Sequence, residues 1–203
     1  MVHKFFEDRI PHRGMTYAEY KKYFAEDINS TKPDNLKDEQ KELFQYKKLN
    51  LVRSDRIEKN YMVSEGLSSE IRNIKEKQLW MVITEDWCGD SAQNLPYLAK
   101  MAALNPNIDF RIILRDSNTE IMDLYLTNGT RSIPKLVAFD MEGDELFTWG
   151  PRPKAAHDLI HQWKSEGIVK PELYEKLHLW YGRNRGKDIE AEMSEILSKV
   201  EQE

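Results

Sequence analysis

The chain has a single cysteine, Cys88, in 203 residues, so no disulfide can form within it. That excludes a disulfide-stapled secreted scaffold and is what a cytoplasmic protein is expected to show. No apolar run approaches the roughly 20 residues needed to cross a bilayer, so no membrane partner is expected. Residues 1–16 mix His, Lys, Glu, Asp and Arg without an apolar block, unlike a secretory signal. The sequons at Asn29 and Asn128 therefore carry no weight. Positive charge is the scarcer sign, with 30 Lys and Arg against 35 Asp and Glu and a net charge of -5. A nucleic-acid groove needs clustered cations facing phosphates, so nucleic acid is not an expected partner. The 9 glycines form no phosphate-cradling loop, and no cofactor or metal is expected. What is present is a hydrophobic fraction of 40% beside 32% charged residues, enough for a core under a solvated surface.

The length fits one domain with extensions, and no internal repeat is visible. The first sixty residues read as helical. Thr16 with Glu19 three residues later is a capping-box signal, and Tyr17, Tyr20 and Phe24 follow at helical spacing. Past a turn at 32–35, helices are expected over 36–48 and 55–62, with dense charge and no site constellation. This segment reads as scaffold. After Gly66 the pattern changes. Ser68 or Ser69 is expected to cap a helix reaching Gln78. The run 80–84 is short, apolar and partly β-branched, as in a buried strand. A helix over 91–103 interrupted by Pro96, a strand over 108–114 and a helix over 118–126 follow. Then come a hairpin of 136–139 and 146–149, and an amphipathic helix over 154–164. The order implies an α/β layered domain with a mixed sheet at 66–167, between helical extensions at 1–65 and 168–203. The last extension holds a helix from Pro171, a break at 182–186 and a helix over 188–200.

At the end of the first strand stands Asp86-Trp87-Cys88-Gly89-Asp90-Ser91. Here the sequence resembles the thioredoxin family. Trp87-Cys88-Gly89 matches the start of that family's W-C-G-P-C site, and Pro96 matches the proline that kinks the following helix. Ile133-Pro134 matches its cis-proline element, and Arg131 and Gly150 fall where family members place an arginine and a glycine. The likeness covers about half the chain. The whole resembles a bacterial thioredoxin-like group with helical extensions at both ends. The resemblance implies a thioredoxin fold, a mixed sheet flanked by helices. It also implies a thiol beside a cis Pro134, where the Ile133 carbonyl and N–H are free to pair with an extended partner, with Trp87 and Gly89 alongside.

Three departures shape the expected chemistry. Ser91 replaces the second cysteine, and a hydroxyl cannot attack a mixed disulfide as a thiol does, so dithiol thioredoxin activity is excluded. Glu85, Asp86 and Asp90 crowd the thiol. At ~6 Å each carboxylate opposes the thiolate by about 0.7 to 3 kcal/mol, while the helix start favours it by roughly 0.3 to 2 kcal/mol. The sign of the thiol's shift stays open. Val82 stands where the family keeps a buried aspartate for proton transfer.

The expected function is monothiol thiol–disulfide exchange through Cys88 with a glutathione-like thiol or a protein disulfide partner. Asp90 and the helix start tune the sulfur, and Ser91 hydrogen-bonds it. Two other readings stand beside it. One is a non-catalytic module that binds a peptide between Trp87 and Pro134 around an inert packed thiol. The other is a cluster-holding site like the C-G-F-S of monothiol glutaredoxins, disfavoured by Asp90 at the third position. Outside the motif, Lys135 reads as a solvated lysine. His157 and His161 lie four apart on one helix face without a third ligand, so a wet helix face is the ordinary reading. Arg183, Arg185 and Lys187 beside Trp180 and Tyr181 read as a solvated basic loop.

Overall fold

The structure is a computed structural model and describes residues 2–200. A four-stranded mixed sheet in the order β2-β1-β3-β4 organises it, with β1 Gln78–Thr84, β2 Ile108–Leu114, β3 Lys135–Phe139 and β4 Glu145–Trp149. β1 runs parallel to β2 and antiparallel to β3, and β3 and β4 form the hairpin. Trp80, Met81, Val82 and Ile83 are all fully buried, because β1 is central and both of its faces are covered. Alternate side chains serve two cores. Trp80 and Val82 face one core, while Leu79, Met81 and Ile83 face the other.

The first core is closed by helices that come before, within and after the sheet in sequence. These are α2 Tyr17–Ser30, α3 Asp38–Asn60, α4 Glu65–Asn73, α5 Gly89–Ala102 and α9 Lys187–Val200. The second is closed by α1 Lys4–Glu7, through Phe5 and Phe6, and by α6 Thr119–Met122. α7 Lys154–Ser165 and α8 Lys170–Asn184 pack on each other through Ala156, Ile160, Leu173 and Leu177. Met15 pairs with Ile112 through two backbone hydrogen bonds of 2.8 Å and covers the outer edge of β2. The capping box at the start of α2 forms, the Glu19 carboxylate accepting from the Thr16 N–H at 2.8 Å.

Several elements differ from the sequence expectation. The helices expected over 36–48 and 55–62 are one continuous 23-residue helix, α3. The helix expected to begin at Ser68 or Ser69 begins after Ser64, with Ser68 buried in its interior. It ends at Asn73, so Gln78 opens β1 instead of closing a helix. The helix expected over 118–126 is a single turn. α8 runs through Gly182 and ends where Arg185 turns left-handed at φ 53°. The other strands and helices lie within two residues of expectation.

Candidate functional site

β1 delivers the chain to a short loop, Glu85-Asp86-Trp87, and Cys88 is the N-cap of α5. Its sulfur takes the place a capping oxygen usually fills, accepting from the Ser91 N–H at 3.4 Å. In the thiol form it donates to the Ile133 carbonyl at 3.2 Å. The Ile133–Pro134 bond is cis. That carbonyl accepts one bond from the thiol and keeps its second lone pair, and Ile133 and Pro134 are both buried. Gly150, at φ 114°, lies so close to the Pro134 carbonyl that any Cβ would collide with it, which explains the glycine there.

Cys88 is 8% exposed. Burial pushes its thiol up to about 11, with the Asp90 charge adding to the rise. The Ser91 hydroxyl and the Ser91 and Asp90 N–H groups act in the opposite direction without cancelling it. Donation to the Ile133 carbonyl is open to the thiol alone and favours the same form. At pH 7 the thiol form dominates. Desolvation, which cannot be read from a charge count, settles the sign that the sequence left open. Ser91 is buried, and its oxygen accepts the Thr84 hydroxyl at 2.6 Å, leaving its own proton free to turn towards the sulfur.

The three carboxylates are held apart, each by its own partner. Glu85 accepts the Asp116 N–H at 2.7 Å. Asp86 accepts the Lys47 ammonium at 2.9 Å, and Lys47 also reaches Asp27 at 3.0 Å. Asp90 pairs with the Arg152 guanidinium and accepts the Tyr181 hydroxyl at 2.6 Å. Asn94 donates to the Tyr181 oxygen and to the Asp90 carbonyl. Burial raises the pKa of Glu85 and of Asp86 against these bonds.

A cover lies over the helix start. Gly89 faces the Tyr46 hydroxyl from α3 and the His178 ring from α8; a Cβ there would meet both, the His178 Cε1 at 3.0 Å. Gln93 donates to His178 Nδ1 at 3.2 Å, which leaves the Nε2–H to donate to the Tyr46 oxygen at 3.0 Å. Burial, helped by the Arg53 charge, lowers His178 to about 3 and keeps it neutral. Trp87 is half-buried, with the Arg115 guanidinium 4.7 Å above its ring, so one aromatic face is already taken.

The seven motif residues thus gather in one place: Trp87, Cys88, Gly89, Asp90 and Ser91 with Ile133 and Pro134. Tyr46, Lys47, Arg152, His178 and Tyr181 join them from segments that read as scaffold or loop. Asp90 itself was a signal, because a carboxylate at a buried helix start needs a counter-ion. Nothing in the sequence says that the counter-ion is Arg152. Lys135 is buried, not solvated; its ammonium donates to the Gly150 carbonyl at 3.3 Å, and burial lowers its pKa.

Away from the site, the His157 and His161 Nε2 atoms are 3.2 Å apart on an α7 face. Among the described residues no three His, Cys, Asp or Glu are grouped to hold a metal, and no helix is long and apolar enough to cross a membrane.

A family model described as thioredoxin matches residues 37–164. Among solved structures, a protein of unknown function from Pseudomonas aeruginosa is 19% identical at a TM-score of 0.59, over 94% of this chain and 95% of its own. An HIV epitope-scaffold is 20% identical at a TM-score of 0.59, over 95% of this chain and 97% of its own. At such identities the likeness is one of fold alone. The chain matches no curated protein. The family match opens at Lys37, the N-cap of α3, so the helix that supplies Tyr46 and Lys47 lies inside the shared pattern.

Proposed function

The chain belongs to the thioredoxin-like family, and from that premise we propose that it carries out monothiol thiol–disulfide exchange through Cys88. The observation that carries this reading is the sulfur's position, 3.4 Å from the N–H of Ser91 in the first turn of α5 and 3.2 Å from the carbonyl before Pro134. The Cys88 thiol loses its proton to solvent, and the thiolate attacks one sulfur of a disulfide R–S–S–R. A Cys88–S–S–R bond forms as the old S–S bond breaks, and R–S⁻ leaves with the electron pair. Ser91 cannot resolve the adduct, and Cys88 is the chain's sole cysteine. A second external thiol must attack, releasing Cys88 and carrying R away as a new disulfide. The partner is a glutathione-like thiol or an exposed protein disulfide. A lone thiol without a structural disulfide fits the reducing cytoplasm.

Exchange through so basic a thiol is slow at neutral pH and quickens as pH rises. Incubation with oxidised glutathione, followed by intact mass, is expected to show one glutathione per chain, forming faster at pH 9 than at pH 7 and removed by an added thiol. No adduct anywhere between pH 6 and 9 rejects the reading.

The burial of Cys88 favours a second reading, a non-catalytic thioredoxin-fold module that binds a protein partner. On that reading, Cys88→Ser leaves partner binding unchanged.

A further inference from the structure

Arg185 and Lys187, near the α8–α9 junction, are not part of the Cys88 site. They line a cleft of about 690 Å³ between α3, α5, α8 and α9. Its inner wall is aromatic, built from Tyr61, Tyr97 and Tyr181. Its rim carries Arg56, Arg185 and Lys187, all exposed, none with a side-chain hydrogen bond or ion pair to the described residues. The one carboxylate in the lining, Glu190, is engaged, accepting the Tyr61 hydroxyl at 2.5 Å and the Ser64 N–H at 3.1 Å. Three cations against one carboxylate make a positive concavity on a chain whose net charge is -5.

Two further features shape its wall. The Tyr97 ring is buried, but its hydroxyl opens to the cleft and makes no hydrogen bond to any described residue. The ring is held by the core while the hydroxyl, its hydrogen-bonding capacity not spent on the described residues, lies open to whatever occupies the cleft. Arg185 is also fixed in place. It caps α8 at φ 53°, and Gly186 beside it lies against the Tyr97 ring so closely that a Cβ would collide.

We propose that this cleft binds a small organic anion, an aromatic or apolar body carrying a phosphate or carboxylate. Arg56 and Arg185 pair with the anionic group, the Tyr97 hydroxyl donates to it, and the tyrosine rings and Ile57 take the body. The volume falls within the range of small-molecule sites. A guanidinium facing an anion gives charge-assisted bonds, while the rings supply apolar contact that inorganic phosphate cannot use.

Titrating phenyl phosphate, benzoate and inorganic phosphate into the full ¹⁵N-labelled chain, with amide shifts as the readout, tests this. At least one organic anion is expected to give saturable shifts around Tyr61, Tyr97 and Arg185, and the tighter of the two identifies the headgroup. Arg56→Gln and Arg185→Asn are each expected to weaken it about tenfold with the circular dichroism unchanged, Asn being chosen because it tolerates the left-handed backbone. Should either variant lose its fold, Lys187→Gln reads the same charge. The proposal falls if neither organic anion saturates, if the variants bind as the parent does, or if inorganic phosphate binds as tightly as phenyl phosphate.

Discussion

Two regions built on the same helices behave in opposite ways. At the N-terminal end of α5, the thiol site is sealed: Asp86, Asp90, His178 and Tyr46 each have a named partner, and Cys88 is 8% exposed. Alongside α5, where α8 meets α9, the cleft is open and its cations have no ion pair among the described residues. α3, α5 and α8 contribute to both, and Tyr181 touches both, lining the cleft while its hydroxyl holds Asp90. The helices around the sheet therefore do more than close its cores. They withdraw the Cys88 sulfur from solvent on one side and shape a concave positive surface on the other.

The contrast breaks most visibly at Arg152. Arg152→Ala strands the buried Asp90 carboxylate and is expected to cost about 3 to 5 kcal/mol in urea unfolding. Gly89→Ala drives a methyl group into Tyr46 and His178. It is expected to cost about 1 to 3 kcal/mol and to speed Cys88 alkylation by displacing the cover. An unchanged alkylation rate in that variant would mean that α3 and α8 do not limit access. A smaller effect comes from the thiol's own titration. The folded chain holds the Cys88 proton more tightly than the unfolded chain, so this contribution is complete below about pH 9 and is lost as pH climbs through 11. Between pH 8 and 10 the parent is expected to lose about 1 kcal/mol more than Cys88→Ser in paired urea titrations, tyrosine effects being common to both. Smallest of all, Arg56→Ala on the open side is expected to change stability by less than about 0.5 kcal/mol. A large loss there would reveal a partner for Arg56 and erase the contrast.

The sheet was legible because β1 is buried on both faces and its apolar run states as much. The thiol's neighbours along the chain were legible for a similar reason, since Trp87-Cys88-Gly89 and Ile133-Pro134 are local signals. α3 was not legible as one helix, because its pattern is inverted in the middle. Asn50 and Ser54 are buried, their side chains reaching the Asp86 and Ala92 carbonyls, while Leu49 and Val52 are exposed. Apolar periodicity cannot find a helix that packs through hydrogen bonds. The cover was hidden for another reason. Arg152 and His178 lie 62 and 85 residues from their partners Asp90 and Gln93, and only tertiary structure brings them together. The lysine after Pro134 reads as solvated from sequence because a buried lysine bonded to a backbone carbonyl leaves no local trace.

Cys88 is a sealed thiol whose ionisation burial pushes well above neutrality, and the pH dependence of its alkylation checks this. With iodoacetamide in excess, the rate is expected to rise about tenfold per pH unit from 7 to 10, levelling only near 11. A rate that levels between pH 7 and 8 would mean an exposed, activated thiolate, and the sealed site described for this protein would be wrong.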